Sequence, residues 1–125
     1  MGYFGYSYYE ANKSKLKLAA IVNGDGKPVK PSFDVIRSGT YKPLSRPLFL
    51  YVNAESFKRP EVKAFLDFVL DNAKSIVEHP RVNYVAFGDE LYQLGKKRLG
   101  EGKTGSVMAS APAGASDIVE LFKSH

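Results

Sequence analysis

The run Leu48-Phe49-Leu50-Tyr51-Val52 constrains this chain more than any other stretch. Pro43 and Pro47 precede it. Each proline fixes its own φ and biases the residue before it away from helix, so the chain enters the apolar run already extended. A near-continuous apolar run of this length reads as a short strand buried on both faces. Turn-rich sequence lies before it and the longest helical pattern lies after it, so the run joins two halves.

After the run, residues 54–58 read as a loop or a single helical turn. Pro60 then opens a helix, with Glu61 at its positive dipole end. Val62, Phe65, Leu66, Val69, Leu70, Ala73, Ile76 and Val77 recur at helical spacing as one apolar stripe ending at Pro80. Residues 82–87 form an extended connector. Asp89 caps a second helix that carries Leu91, Leu94 and Leu99 inward, places Lys96, Lys97 and Arg98 near its negative end, and stops at Gly100. Residues 104–108 suggest a last short strand, and Ser116 caps a final helix bearing Ile118, Leu121 and Phe122. Before the run, residues 2–6 suggest a strand and bend, 7–16 a helix and 16–22 a strand. Asn23-Gly24-Asp25-Gly26 makes a turn, and Ser32 caps a short helix that stops at Gly39. Strands alternating with helices define the α/β class.

The chain has 125 residues, enough for one modest domain with one core. Its net charge of +5 favours anionic partners, or simply a well-solvated surface. There is no cysteine, which excludes disulfides, zinc ribbons and thiol catalysis. No run approaches the roughly 18 apolar residues of a membrane span. The opening residues show neither the basic nor the apolar region of a signal peptide. His79 and His125 are the only histidines, and they are far apart. No metal-ligand spacing emerges, and no nucleophile, base and orienting acid come together. The expectation is a non-enzyme without a cofactor.

Three motifs invite a functional reading. The segment from Gly100 to Gly105 has the glycine spacing of a dinucleotide loop and contains the tail of a P-loop. A helix precedes it where a strand is required, and Lys97 stands where a P-loop needs glycine, so it reads as a helix stop. Ser38-Gly39-Thr40 could aim hydroxyls and N–H groups at an anion, with Ser45 and Arg46 adding a hydroxyl and a charged fork. The same residues read more simply as a helix C-cap followed by a turn, with Arg46 paired to a nearby carboxylate. Tyr3, Tyr6, Tyr8 and Tyr9, with Lys96, Lys97, Arg98 and Lys103, raise the alternative of a small basic nucleic-acid-binding domain. They also suit a strand-to-helix corner and an ordinary cationic helix end.

Four segments carry a resemblance to a known family, in order along almost the whole chain. They are Gly2-Tyr3-Phe4-Gly5-Tyr6 on to Lys13, Gly39-Thr40-Tyr41 on to Tyr51-Val52, Arg59-Pro60-Glu61-Val62-Lys63-Ala64-Phe65, and Glu101-Gly102-Lys103-Thr104-Gly105-Ser106-Val107. They resemble the C-terminal part of the bacterial phosphate-binding proteins of the phosphate ABC transporter, especially the cyanobacterial type. Ala86-Phe87-Gly88-Asp89 departs from the family's usual helix-capping segment there.

The resemblance implies part of a periplasmic-binding-protein type II-like fold, in which two lobes close on phosphate. Residues 1–46 would be a piece of the second lobe. Residues 47–125 would be the hinge crossover strand and the C-terminal helices of the first lobe. The implied partners are inorganic phosphate, an ABC permease and the missing N-terminal lobe, in whose absence homo-oligomers or strand exchange are expected. The principal phosphate contacts would lie in that missing part. Ser38, Thr40, Ser45 and Arg46 are the cleft candidates in this chain. The full-length precursor would be periplasmic or held at the cell surface.

Overall fold

A computed structural model describes residues 2–109, 111 and 118–124. These residues are mostly helical, with one sheet of two antiparallel strands, which is compatible with a piece of an α/β fold. The chain divides into two compact units. The first contains residues up to Pro47 together with Val77–Ala86, and the second contains Leu48–Ile76 and residues from Phe87 onward.

In the first unit, α1 spans Tyr6–Ala11. It ends sooner than the expected 7–16 because the Asn12 amide nitrogen donates to the Tyr8 carbonyl, and the chain then turns. Asparagine side chains compete with the helix ladder in this way. Strands β1 (Ile21–Val22) and β2 (Pro28–Val29) pair with Ile21 opposite Val29. The Asn23 Oδ1 holds their turn by accepting from the Asp25 and Lys27 N–H groups, both at 3.1 Å. Gly26 supplies the positive φ of 73°. Helix α2 spans Phe33–Arg37, and the Ser32 Oγ caps it by accepting from the Val35 N–H at 3.2 Å. The ring of Tyr6 meets Phe33 edge-on at 5.2 Å. Arg37 ties the later segment to this unit: its Nε donates to the Ala86 carbonyl, and its guanidinium pairs with Glu78.

The second unit is built of helices. The short α3 spans Ala54–Phe57, and Asn53 caps it by accepting from the Glu55 and Ser56 N–H groups. Helix α4 spans Pro60–Asp71 and opens with the proline, as its sequence requires. The expected single stripe then breaks. The Asn72 side chain donates to the Phe68 carbonyl at 2.8 Å, and a separate α5 follows over Ala73–Val77. Helix α6 spans Asp89–Gly100. Gly88 occupies the N-cap position expected for Asp89, which instead joins Glu90 in the first turn. Helix α7 spans Ile118–Lys123; Ser116, its expected cap, lies outside the described residues. In this unit α4 packs on α6 and α6 on α7. Lys96 of α6 reaches Asp71 of α4 at 2.6 Å. Among the described residues the buried hydrophobic side chains are Leu66, Ala73, Leu91 and Val107 here and Ala86 in the first unit.

Three expected strands do not form. Residues 2–6 are irregular up to Tyr6, with Tyr3 and Phe4 exposed. Residues 104–108 are bend and turn, because the Arg98 Nη2 takes the Thr104 and Gly105 carbonyls at 3.0 and 3.2 Å. The central run, 48–52, is neither paired nor buried: Leu48 is 69%, Leu50 67% and Tyr51 75% exposed. A strand completes its hydrogen bonds only against a neighbour, and none of the described residues supplies one. The expected strand over 16–22 shortens to Ile21–Val22 for the same reason, since β2 offers only two residues to pair with.

Candidate functional site

The four cleft candidates lie in the first unit, on the end of α2 and the turn beyond it. The hub there is the Val35 carbonyl. It accepts from the Thr40 and Tyr41 N–H groups at 3.1 and 3.2 Å, and from the Thr40 Oγ1 and Ser38 Oγ at 3.1 and 3.2 Å. The two hydroxyls also lie 2.7 Å apart. Two hydroxyl protons therefore serve three contacts, and both side chains are committed to the helix end. Gly39, with φ of 70°, makes the reversal that carries Thr40 back. The last carbonyls of a helix have no partner inside it, and this cluster satisfies one of them.

Ser45 and Arg46 differ from that pair. The Ser45 N–H donates to the Tyr41 carbonyl at 3.0 Å, which closes the turn. Its Oγ is buried without a hydrogen-bond partner, the kind of group that normally finds one. Arg46 is exposed and joins no ion pair among the described residues, so the carboxylate partner weighed for it in the sequence is not found there. Burial raises the Tyr41 phenol above its ordinary range. The structure thus brings Ser38 and Thr40 into one cluster and leaves the Ser45 and Arg46 side chains outside its bonds. Val35 was not legible as the hub, because any helical carbonyl looks alike in sequence.

The other motifs take structural places. The segment 100–105 follows a helix and bends at Gly102 and Gly105, with φ of 65° and 82°. Phe4 stacks on Tyr8 at 5.0 Å. The Tyr6 phenol is pushed up by burial and by its hydrogen bond to Glu10, whose carboxyl is lowered by hydrogen bonds from Lys13 and Tyr6. The His79 Nδ1 accepts from the Arg81 N–H at 3.2 Å, and His125 lies outside the described residues. Among the described residues no group of three His, Asp or Glu side chains could hold a metal ion.

Comparison with known proteins gives the class: the chain matches a C-terminal portion of longer bacterial proteins, those named SphX over its whole length and those named phosphate-binding protein PstS over 74% of it. It is 40% identical over 125 residues to protein SphX of Synechococcus elongatus, and 40% identical over 124 residues to SphX of Synechocystis. These alignments cover 100% and 98% of this chain and 36% of each relative. Phosphate-binding protein PstS of Staphylococcus haemolyticus is 42% identical over 94 residues, 74% of this chain and 29% of that protein. The chain thus spans about a third of the length of the curated relatives it matches. No protein-family model and no solved structure matches it.

Proposed function

We propose that this chain is the C-terminal part of an extracytoplasmic solute-binding protein that takes up inorganic phosphate and presents it to an ABC permease. It is a binding module and not an enzyme. One observation carries the reading: identity near 40% holds along the entire chain while spanning only 36% of the SphX length. The fold is then part of a two-lobe binding protein, with residues 1–46 from the second lobe and 47–125 from the hinge crossover and the first. Support comes from the division after Pro47 and from the unpaired apolar run at 48–52, which fits a crossover strand without its sheet. Residues 77–86 are the exception, being grouped with the residues up to Pro47.

In the complete protein, helix N-termini and hydroxyls would hold a desolvated phosphate. Most of these groups would lie outside this chain. Ser45 and Arg46 are the better cleft candidates here, because their side chains have no partner, whereas Ser38 and Thr40 have spent their hydroxyls. The chain alone binds phosphate weakly or not at all. Isothermal titration with inorganic phosphate is expected to show no micromolar binding; a micromolar dissociation constant would place the contacts inside this chain after all. The open run is expected to be covered by the missing lobe, or by a second copy when that lobe is absent. Light scattering across a concentration series checks the latter, and a clean monomer throughout counts against it. The mature full-length protein would work in the periplasm or at the cell surface.

A further inference from the structure

We infer that the groove between α6 and α7 in the second unit is an oxyanion site, one that takes sulfate or phosphate in solution or the phosphate of a lipid headgroup. The inference stands apart from the proposed transport role and uses different residues.

The groove has a volume of about 130 Å³. That is room for several water molecules, and so for a small tetrahedral oxyanion. Leu94 and Phe122 supply apolar wall, and the cations Lys97, Arg98, Lys103 and Lys123 surround it with Glu101 as the lone lining carboxylate. Lys97 and Lys103 share that single carboxylate, at 3.8 and 3.2 Å. Lys123 has its own partners in Glu90 and Glu120, at 2.9 and 3.4 Å. Arg98 has no carboxylate partner among the described residues, and its Nη1 is buried with no acceptor. The lining is therefore short of negative charge.

Arg98 is also held still. Its Nη2 donates to the Thr104 and Gly105 carbonyls, so the guanidinium is fixed by the bend of the loop. It contributes charge at a set position, while the lysines, on flexible four-carbon stems that can swing from their carboxylates, contribute the contacts. The C-terminal end of a helix repels anions. Here that effect is blunted, because the Glu101, Gly102 and Lys103 N–H groups already bond the Lys97, Leu99 and Arg98 carbonyls. The sequence displays Lys97, Arg98 and Lys103 as a cluster, but Phe122 and Lys123 join it only when α7 folds against α6.

The test is an amide NMR titration of the whole chain with sodium sulfate and with sodium phosphate, at ionic strength held constant with sodium chloride. Saturating shifts confined to residues 94–103 and 121–124 are expected, with a dissociation constant on the order of 1 mM. The double variant Lys97→Gln, Lys103→Gln leaves the Arg98 anchor in place and is expected to weaken binding about tenfold. A parallel arm uses phosphatidylglycerol vesicles. Broadening of the same amides by vesicles alone, lost in the double variant, assigns the anion to a headgroup; saturation by the free salts assigns it to solution. If neither arm gives more than sodium chloride does, or if the folded double variant binds equally well, the proposal is overturned. Binding that maps to residues 45–46, with no shifts at residues 94–103 and 121–124, would overturn this proposal and support the transport reading instead.

Discussion

Two apolar stretches of the second unit behave in opposite ways. Helix α4 closes its backbone hydrogen bonds within itself and needs to bury only a stripe; Leu66 is 6% exposed while Phe65 and Phe68 remain at 61%. Residues 48–52 are as apolar, yet they expose Leu48, Leu50 and Tyr51 and form no ladder. The Tyr51 hydroxyl makes a single hydrogen bond, with the Ser106 Oγ at 3.3 Å. A helix is locally self-sufficient, whereas a strand depends on a remote neighbour for its backbone as well as its side chains.

The largest test of this contrast is Leu66→Ala. It removes a buried anchor of α4 and is expected to cost about 2–4 kcal/mol in urea unfolding. A loss under 1 kcal/mol would mean that α4 is not organised around that face. Next is Asn53→Ala, at the point where the unpaired run gives way to helix. Losing both cap acceptances is expected to cost about 1 kcal/mol, visible as a lower urea midpoint.

The first unit offers an electrostatic counterpart. Glu10 has its carboxyl lowered below the ordinary 4.5 by hydrogen bonds from Lys13 and then Tyr6. A depressed folded-state value stabilises above the unfolded one, and that stability drains away as pH falls through the folded value. Glu10→Gln is expected to flatten the acid limb of thermal stability below about pH 4.5; superimposable limbs would exclude the linkage. The smallest effect is expected from Leu50→Ala, within about 0.5 kcal/mol in this chain, because its side chain is already in water. A loss comparable to that of Leu66→Ala would show that the open run is covered in solution.

What could be read from the residues was local. Ser32 as a cap, Pro60 as a helix start and the Asn23 turn each act within a few residues of themselves, so their roles are written where they stand. The break at Asn72 hid inside a good apolar stripe, since a side chain bonding back to Phe68 leaves no periodic trace. The strand expected at 104–108 was lost to Arg98, which reaches its carbonyls from the preceding helix. At the candidate site, the Ser-Gly-Thr run was visible, but not the commitment of its hydroxyls to Val35.

The sequence by itself determined the relationship to the phosphate-binding proteins, the Ser32 cap, the Asn23 turn and the helix start at Pro60, because identity and short-range hydrogen bonding need no knowledge of the fold. Only the tertiary structure decided that the central apolar run stands open, that Arg37 draws residues 77–86 into the first unit, and that Arg98 is fixed with one nitrogen unpaired. Each of these depends on what lies across space, and a strand or a guanidinium carries no mark in sequence of the partner that will or will not be there.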